Sequence, residues 1–377
     1  MSESIAPDNV STDIARQLAE AIQPVFMVGS VTTGLADGRA IQLQGQLLTD
    51  SETAYDYIAA RFKGYGYTAL LRPTRPAPAG QPPDGQVVVT ALPVVLNPQP
   101  QRETGAVVLF VLTVLSVLYA GALMQAPDYL WPLTHPLAGL PFAAGLLSIL
   151  VAHELGHYLV SRRLGVATSL PYFIPMPLNL FGTMGAIIRT REPMRNRRQV
   201  LAIGAAGPLA GLLVAIPVLT VGLMRSTVQP ISVQPGALLE GNSIFYAVLK
   251  LLVFGRFLPG GGYDVFLHPV AFGAWAALLV TGLNLIPAGQ LDGGHVSYAL
   301  FGKHAIWVSR IATAAALALV LVWSGWWLFA LLLFIFGQRH AEPLDEITSL
   351  TRREKLLAIG MLLVFVLLFV PVPMTIL

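Results

Sequence analysis

Apolar and polar positions follow two different patterns along the 377 residues of this chain. Up to about residue 103 the pattern changes every few positions. Ser11 or Thr12 is placed to cap a short helix running to Ile22. Ala40–Leu48 alternates, with Ile41, Leu43 and Leu47 on one face, which is the period of a strand. Thr49 followed by Glu52 resembles a capping box. It opens a helix, Ser51–Lys63, whose Ala54, Ile58 and Phe62 share a face and which stops at Gly64. Tyr67–Arg72 and Val87–Leu92 read as two more strands joined by a flexible stretch, Pro73–Gly85. The expectation for residues 1–103 is a small α/β domain with a β-α-β-β core. It has no histidine and no Gly-rich phosphate loop, so docking or regulation suits it better than chemistry.

From Ala106 onward the pattern becomes a series of long apolar runs. A helix needs about 20 residues to cross a bilayer. The runs Ala106–Met124, Leu137–Leu159, Val200–Met224, Val270–Ile286, Ile306–Ser324 and Leu356–Pro371 approach that length, and the shorter Trp326–Phe336 can cross if it packs against the preceding helix. Ile244–Phe257 carries Lys250 and Arg256 and reads as an interfacial half-helix rather than a span. The expected fold class is mostly α: a polytopic helical membrane protein of about seven spans over residues 104–377, preceded by the small α/β domain.

Composition narrows the picture. Hydrophobic residues make up 55% of the chain and charged ones 11%, against about 25% charge in a soluble domain. A water-surrounded globule and a disordered chain are both excluded. The absence of cysteine removes disulfides, iron–sulfur clusters and thiol nucleophiles, so a metal site must be built from His, Asp or Glu.

The net charge of +3 divides unevenly, with 7 Lys/Arg against 10 Asp/Glu in residues 1–103 and 16 against 10 in residues 104–377. The start, Met1–Pro24, carries Glu3, Asp8, Asp13 and Glu20 without an apolar core, which argues against a signal or transit peptide. Among the expected loops, thirteen basic residues fall on one side and three (Arg225, Lys250, Arg256) on the other. The positive-inside rule then places the amino-terminal domain in the cytoplasm and the carboxyl end outside. The expected location is the plasma (inner) membrane of a prokaryote. The basic excess marks loops rather than a nucleic-acid partner, and Arg189–Arg198 are expected to orient the chain and touch anionic lipid. Trp307, Trp323, Trp326 and Trp327 read as interfacial anchors.

Candidate chemistry lies in the second run, at His153-Glu154-Leu-Gly-His157. Residues four apart share a helix face, so the two imidazoles can hold one metal, and Glu154 stands where a general base can take a proton from water. An ionisable group at bilayer depth costs about 2.5–3.5 kcal/mol on insertion scales, and a divalent cation supplies the compensation. A polar helix–helix contact or a transporter's proton relay are the alternatives. A third ligand is expected from another run at similar depth. Asp292 is the best placed, since Pro287, Gly289, Gly293 and Gly294 break the helix and let the backbone turn it inward. His295, close by, either lines the site or is structural.

His153-Glu154-x-x-His157 paired with Asn284-x-x-Pro287-x-x-x-x-Asp292-Gly293 resembles the site-2 protease family of intramembrane zinc metalloproteases, peptidase family M50. Pro171–Pro175, Gly182–Ile187 and Ala206-Gly207-Pro208-Leu-Ala-Gly211 are similar to that family's membrane-embedded loop and third-span signature. The run Asn284–Lys303 is especially similar to the ethylene-dependent gravitropism-deficient and yellow-green-like branch, which also carries a small domain before its first span.

The resemblance implies one zinc per chain on His153, His157 and Asp292, with Glu154 as general base and later proton donor. It implies that Asn284 hydrogen-bonds the substrate or its oxyanion. It also implies that Gly182, Thr183, Met184 and Gly185 form a re-entrant hairpin whose edge pairs with an extended substrate. The partners it implies are the bilayer and a membrane protein cut in or near its transmembrane segment. Between the third and fourth runs there is no insertion long enough for a PDZ domain, and no CBS-like domain is expected after Leu377. A transporter would carry matching broken segments in its two halves, which are absent, and a binding-only pseudoprotease would have lost one of the four positions.

Overall fold

The computed structural model describes residues 7–34, 40–74, 86–97, 103–126, 128–231, 238–337 and 340–376. The chain divides into two compact units: the smaller combines residues before position 100 with Glu192–Val200 and Ala341–Thr351, and the larger holds the rest.

The smaller unit runs α1 (Pro7–Ile22), β1 (Phe26–Gly34), β2 (Ala40–Leu47), α2 (Ser51–Gly64), β3 (Thr68–Pro73) and β4 (Gln86–Leu92). Its four strands form an antiparallel sheet in the order β1-β2-β4-β3. Leu18 and Ile22 of α1 and Ala54, Ile58 and Phe62 of α2 are buried together with Leu43, Leu71 and Val89 of the sheet. β1 is an element the periodicity does not announce, because only Phe26 is fully buried and Met27 and Val31 are exposed. The cap of α2 is Asp50 rather than Thr49: its carboxylate accepts from Thr53 N–H at 3.0 Å. Most of the flexible stretch expected over Pro73–Gly85, and Arg339, lie outside the described residues.

Beyond β3 the same sheet takes up the two later segments. Leu71 N–H donates to Leu344 O at 2.9 Å and Leu71 O accepts from Glu346 N–H at 3.1 Å. Leu344 and Asp345 N–H donate in turn to Met194 and Arg195 carbonyls at 2.9 and 2.7 Å. Three of the arginines expected at lipid headgroups are engaged here instead. Arg195 pairs with Asp56 at 2.8 Å, Arg198 with Glu52 at 2.7 Å, and Arg197 donates to Glu346 O at 3.2 Å. Asp345 is fully buried at the centre of this seam. Its carboxylate accepts from Ile347 and Thr348 N–H at 2.8 and 3.1 Å and from the Thr348 hydroxyl.

The larger unit comprises α3 (Thr104–Leu123), α4 (Leu140–Arg163), the hairpin β5 (Tyr172–Pro175) and β6 (Thr183–Ile187), α5 (Arg197–Met224, whose first residues belong to the smaller unit), β7 (Thr227–Pro230), β8 (Leu238–Glu240), α6 (Ile244–Phe254), β9 (Tyr263–Phe266), α7 (Pro269–Asn284), α8 (Asp292–Phe301), α9 (Ala305–Leu319), α10 (Trp326–Phe336), α11 (Arg352–Leu368) and β10 (Met374–Ile376). Helices occupy all seven expected runs. Among the described residues, however, three are long and apolar enough to cross a membrane: α3, α4 with the turn before it, and α5. The shortfall is clear at α7, whose 16 residues rise only about 24 Å at 1.5 Å each before the chain breaks around Pro287. Val107, Val111 and Leu115, spaced one turn apart on α3, are exposed, a face suited to hydrocarbon rather than water.

Two expectations change on the α5–α7 connection and on α10. Lys250 is fully buried, with Nζ 3.5 Å from Glu240 and 3.4 Å from Asp264 and set over the Tyr246 ring. Trp326 is not an interfacial anchor but a core residue whose Nε1–H donates to Pro371 O at 2.7 Å.

Burial holds the Asp345 carboxyl above its ordinary 3.8, against the opposing pull of its Thr348 and Ile347 bonds. A carboxyl raised on folding favours the fold below its unfolded pKa and loses that advantage as pH rises through the folded value. Asp345→Asn is therefore expected to flatten the pH dependence of this unit in the window that opens above pH 3.8. Asp345→Ala, which strands two buried N–H groups, should cost about 2–4 kcal/mol. Amide exchange across residues 344–348 in the detergent-solubilised chain measures both.

Candidate metal centre

The site is assembled by α4, α5 and α8. α4 presents His153 and His157 on one face because they are four residues apart, and both are buried. α8 begins at Asp292, where the chain restarts as a helix after the break that follows α7. The break needs its glycines: a Cβ on Gly293 would lie 1.9 Å from Leu285 O, and one on Gly294 2.3 Å from Gly289 O. His153 Nε2 lies 3.1 Å from Asp292 Oδ2, His157 Nε2 lies 3.2 Å from Asp292 Oδ1, and the two Nε2 atoms are 3.1 Å apart.

α5 supplies what orients the two histidines. His157 Nδ1 is 2.7 Å from Ile203 O. A carbonyl only accepts, so Nδ1 carries the hydrogen and Nε2 of the neutral ring keeps its lone pair. Pro208, inside α5, has no N–H for the carbonyl of Gly204, the residue next to Ile203, and loosens the turn there. α5 also comes close enough to touch the rings. A Cβ on Gly207 would stand 2.0 Å from His157 Nε2, and one on Gly211 3.2 Å from His153 Cβ.

The donor set suits a divalent cation. With His157 Nε2 bare, only His153 has a hydrogen to share among the converging atoms, which all lie within 4.8 Å of one another. Two nitrogens and one carboxylate are a zinc set that leaves a position for water. Among the described residues this is the group of His, Asp and Glu side chains that can hold a metal.

Other residues singled out in the sequence are placed as follows. Glu154 is buried beside His153, and the charges of His153, His157 and Asp292 all act on its carboxyl. Asn284 is the last residue of α7, half-buried, and stands outside the three-residue ligand group. Gly182, Thr183, Met184 and Gly185 form the turn and first half of β6, with Phe173 paired to Ala186 and Pro175 to Thr183. Gly182 and Gly185 take φ of +71° and +95°. Gly182 O accepts from Ser116 Oγ of α3 at 2.6 Å, and Met184 is exposed. The Ile203 carbonyl had no signature beyond the nearby Pro208. His295, left open between two roles, is joined to His340, with Nδ1 and Nε2 2.6 Å apart.

If Gly207 keeps the metal nitrogen clear, Gly207→Ala should lower zinc per purified chain by about tenfold or more, as loss of a metal's supporting contacts does, although it removes no ligand atom. Gly360→Ala on α11, where a methyl meets nothing within 4 Å, should leave zinc content unchanged. Elemental analysis of both proteins makes the comparison.

Residues 141–325 match Peptidase family M50. The chain is similar to "probable zinc metalloprotease EGY2, chloroplastic" of Arabidopsis thaliana, at 33% identity over 237 residues, 62% of this chain and 42% of that protein. The Arabidopsis thaliana EGY1 protein, also named a probable chloroplastic zinc metalloprotease, is 33% identical over 246 residues, 62% of this chain and 43% of its own. The EGY2 protein of Oryza sativa subsp. indica is 30% identical over 274 residues, 71% of this chain and 49% of its own. The chain thus spans less than half the length of these relatives. Their names overturn the expected location in a prokaryotic plasma membrane, since all three are chloroplastic plant proteins. The expectation rested on charge bias, which reports the side of a bilayer on which a loop lies and not which bilayer it is. With the H-E-x-x-H pair, Asp292 and the hairpin all inside the matched region, residues 141–325 are those of a Peptidase family M50 domain, similar to the chloroplastic zinc metalloproteases above.

Proposed function

We propose that this chain is an intramembrane zinc endopeptidase that hydrolyses peptide bonds in or near transmembrane segments of membrane proteins, as in regulated intramembrane proteolysis. The observation that carries the reading is the convergence of His153, His157 and Asp292 beside a buried glutamate in a body of apolar helices. In this reading the larger unit, which leaves Glu192–Val200 and Ala341–Thr351 to the smaller one, is the protease body with seven helical crossings, the short α7, α9, α10 and α11 included. The small α/β domain of residues 1–103 is a docking or regulatory module.

His153, His157 and Asp292 hold the metal. Zinc, when bound, supplies Lewis acidity that polarises the scissile carbonyl and acidifies water. Glu154 accepts the water proton and delivers it to the leaving amine nitrogen, the two halves of one general acid–base cycle. Its burial keeps bulk water from competing for that proton.

A helical substrate hides its peptide bonds, so it must be extended before attack. Two strands form the β5–β6 hairpin, and the outer edge of β6, with Thr183, Met184 and Gly185, offers hydrogen bonds to an extended segment. Gly182 at φ +71° makes the turn that aligns this edge. Asn284, at the end of α7, hydrogen-bonds the substrate backbone or its developing oxyanion. The substrate's partners are lipid on one side and the hairpin on the other.

The test compares wild type with Glu154→Gln. Both should bind zinc, while Glu154→Gln should cleave a model transmembrane substrate in vesicles at least about 10²-fold more slowly, the usual worth of a general base. A wild type that binds zinc yet leaves the substrate intact supports a binding-only protein. Absence of zinc from both removes the metal site.

A further inference from the structure

α8 carries Asp292, and its first turn has no side-chain cap to help fix its rotation. Its N-cap residue, Leu291, has no side chain able to cap, and the two residues after Asp292 are glycines. The fixing contacts lie one and two turns further on. His295 Nδ1 is 2.6 Å from His340 Nε2, with the two rings perpendicular and 4.8 Å apart between centroids. Tyr298 lies flat on the His340 ring, at 4.2 Å and 7°. Asp292, His295 and Tyr298 are spaced by three, so they follow one another along one side of the helix. On its other contact α8 is flush with α5, since a Cβ on Gly204 would stand 2.6 Å from His295 Cβ.

From this arrangement we infer that His340 is a positioning residue for Asp292, acting through His295. The inference rests on the metal-site reading above. His340 grips two successive turns of α8, by a directional hydrogen bond at His295 and by ring stacking at Tyr298. Stacking alone lets the helix roll; the hydrogen bond between two ring nitrogens fixes the angle. A roll that breaks it carries the Asp292 carboxylate away from Nε2 of His153 and His157, 3.1 and 3.2 Å away.

The experiment uses the full chain in detergent with cobalt(II) as the metal probe, comparing wild type, His340→Phe and His340→Gln. Phenylalanine keeps the stacking surface for Tyr298 and removes the hydrogen bond; glutamine keeps a group that can donate to or accept from His295 Nδ1. His340→Phe is expected to weaken cobalt binding about tenfold, as loss of an outer hydrogen bond to a ligand assembly does, and to shift the visible absorption of the bound cobalt. His340→Gln should restore both affinity and spectrum.

Unchanged affinity and spectrum in His340→Phe would overturn the inference. Equal damage in His340→Gln would overturn it too, by showing that ring volume and not the hydrogen bond matters. Should His340→Phe not fold, His340→Met takes its place. If neither apolar variant folds while wild type does, His340 supports the whole fold rather than Asp292, and the inference is again lost. A wild type that binds no cobalt removes the metal reading itself, an outcome distinct from wild type and His340→Phe binding equally well.

Discussion

Everything at the candidate metal centre depends on how closely α5 approaches the helices that carry His153, His157 and Asp292. Packed helices ordinarily keep their axes 8–10 Å apart, which leaves room for side chains but not for backbone to reach a neighbouring ring. Gly204, Gly207 and Gly211 remove that spacing along one face of α5, against His295, His157 and His153 respectively. A backbone carbonyl, that of Ile203, can then orient an imidazole directly. α4 meets α7 by the same device, with Gly145 against Val270 O and Gly273 against Phe142 O. Between helices in lipid there is no hydrophobic drive, so close van der Waals contact through small residues is what holds such a body together.

The few charges in this body are arranged by the same economy of space. Lys250 looked in the sequence like a residue that would hold its helix at the membrane surface. Its neutralisation by Glu240 and Asp264 shows that the helix can be buried with its lysine. It also accounts for one of the three basic residues that stood against the positive-inside bias. Replacing a buried pair by apolar groups is often harmless, whereas removing one partner typically costs 3–5 kcal/mol. The triad therefore joins β8, α6 and β9 into one conditionally stable group.

What the sequence disclosed and what it hid follow from the range of the interactions involved. Apolar runs and the four-residue spacing of His153 and His157 are local patterns, and both reappear as helices and a shared face. Asp292 was legible because Pro287 and the neighbouring glycines mark a break at the right place. β1 was not, because an exposed edge strand has little alternation to show. Asp50 displaced Thr49 as the cap since either oxygen can serve and one residue of register decides. The Ile203 carbonyl is a backbone group common to every residue and has no signature of its own. The His295–His340 contact links residues 45 positions apart, beyond any periodicity. Three arginines assigned to lipid turned out to have carboxylate and carbonyl partners that lie more than 140 residues away.

The way residues 344–346 complete the sheet has a consequence for how the chain is made. β3 emerges from the ribosome early, but the segment that covers its edge lies 272 residues later. At about 5–20 residues per second, the edge stays open for roughly 14–54 s while α3 to α10 are synthesised. An open strand edge is a template for pairing with other chains. The small domain therefore reaches its final form only after most of the membrane body has been translated, and a fragment ending near residue 103 would keep that edge permanently uncovered.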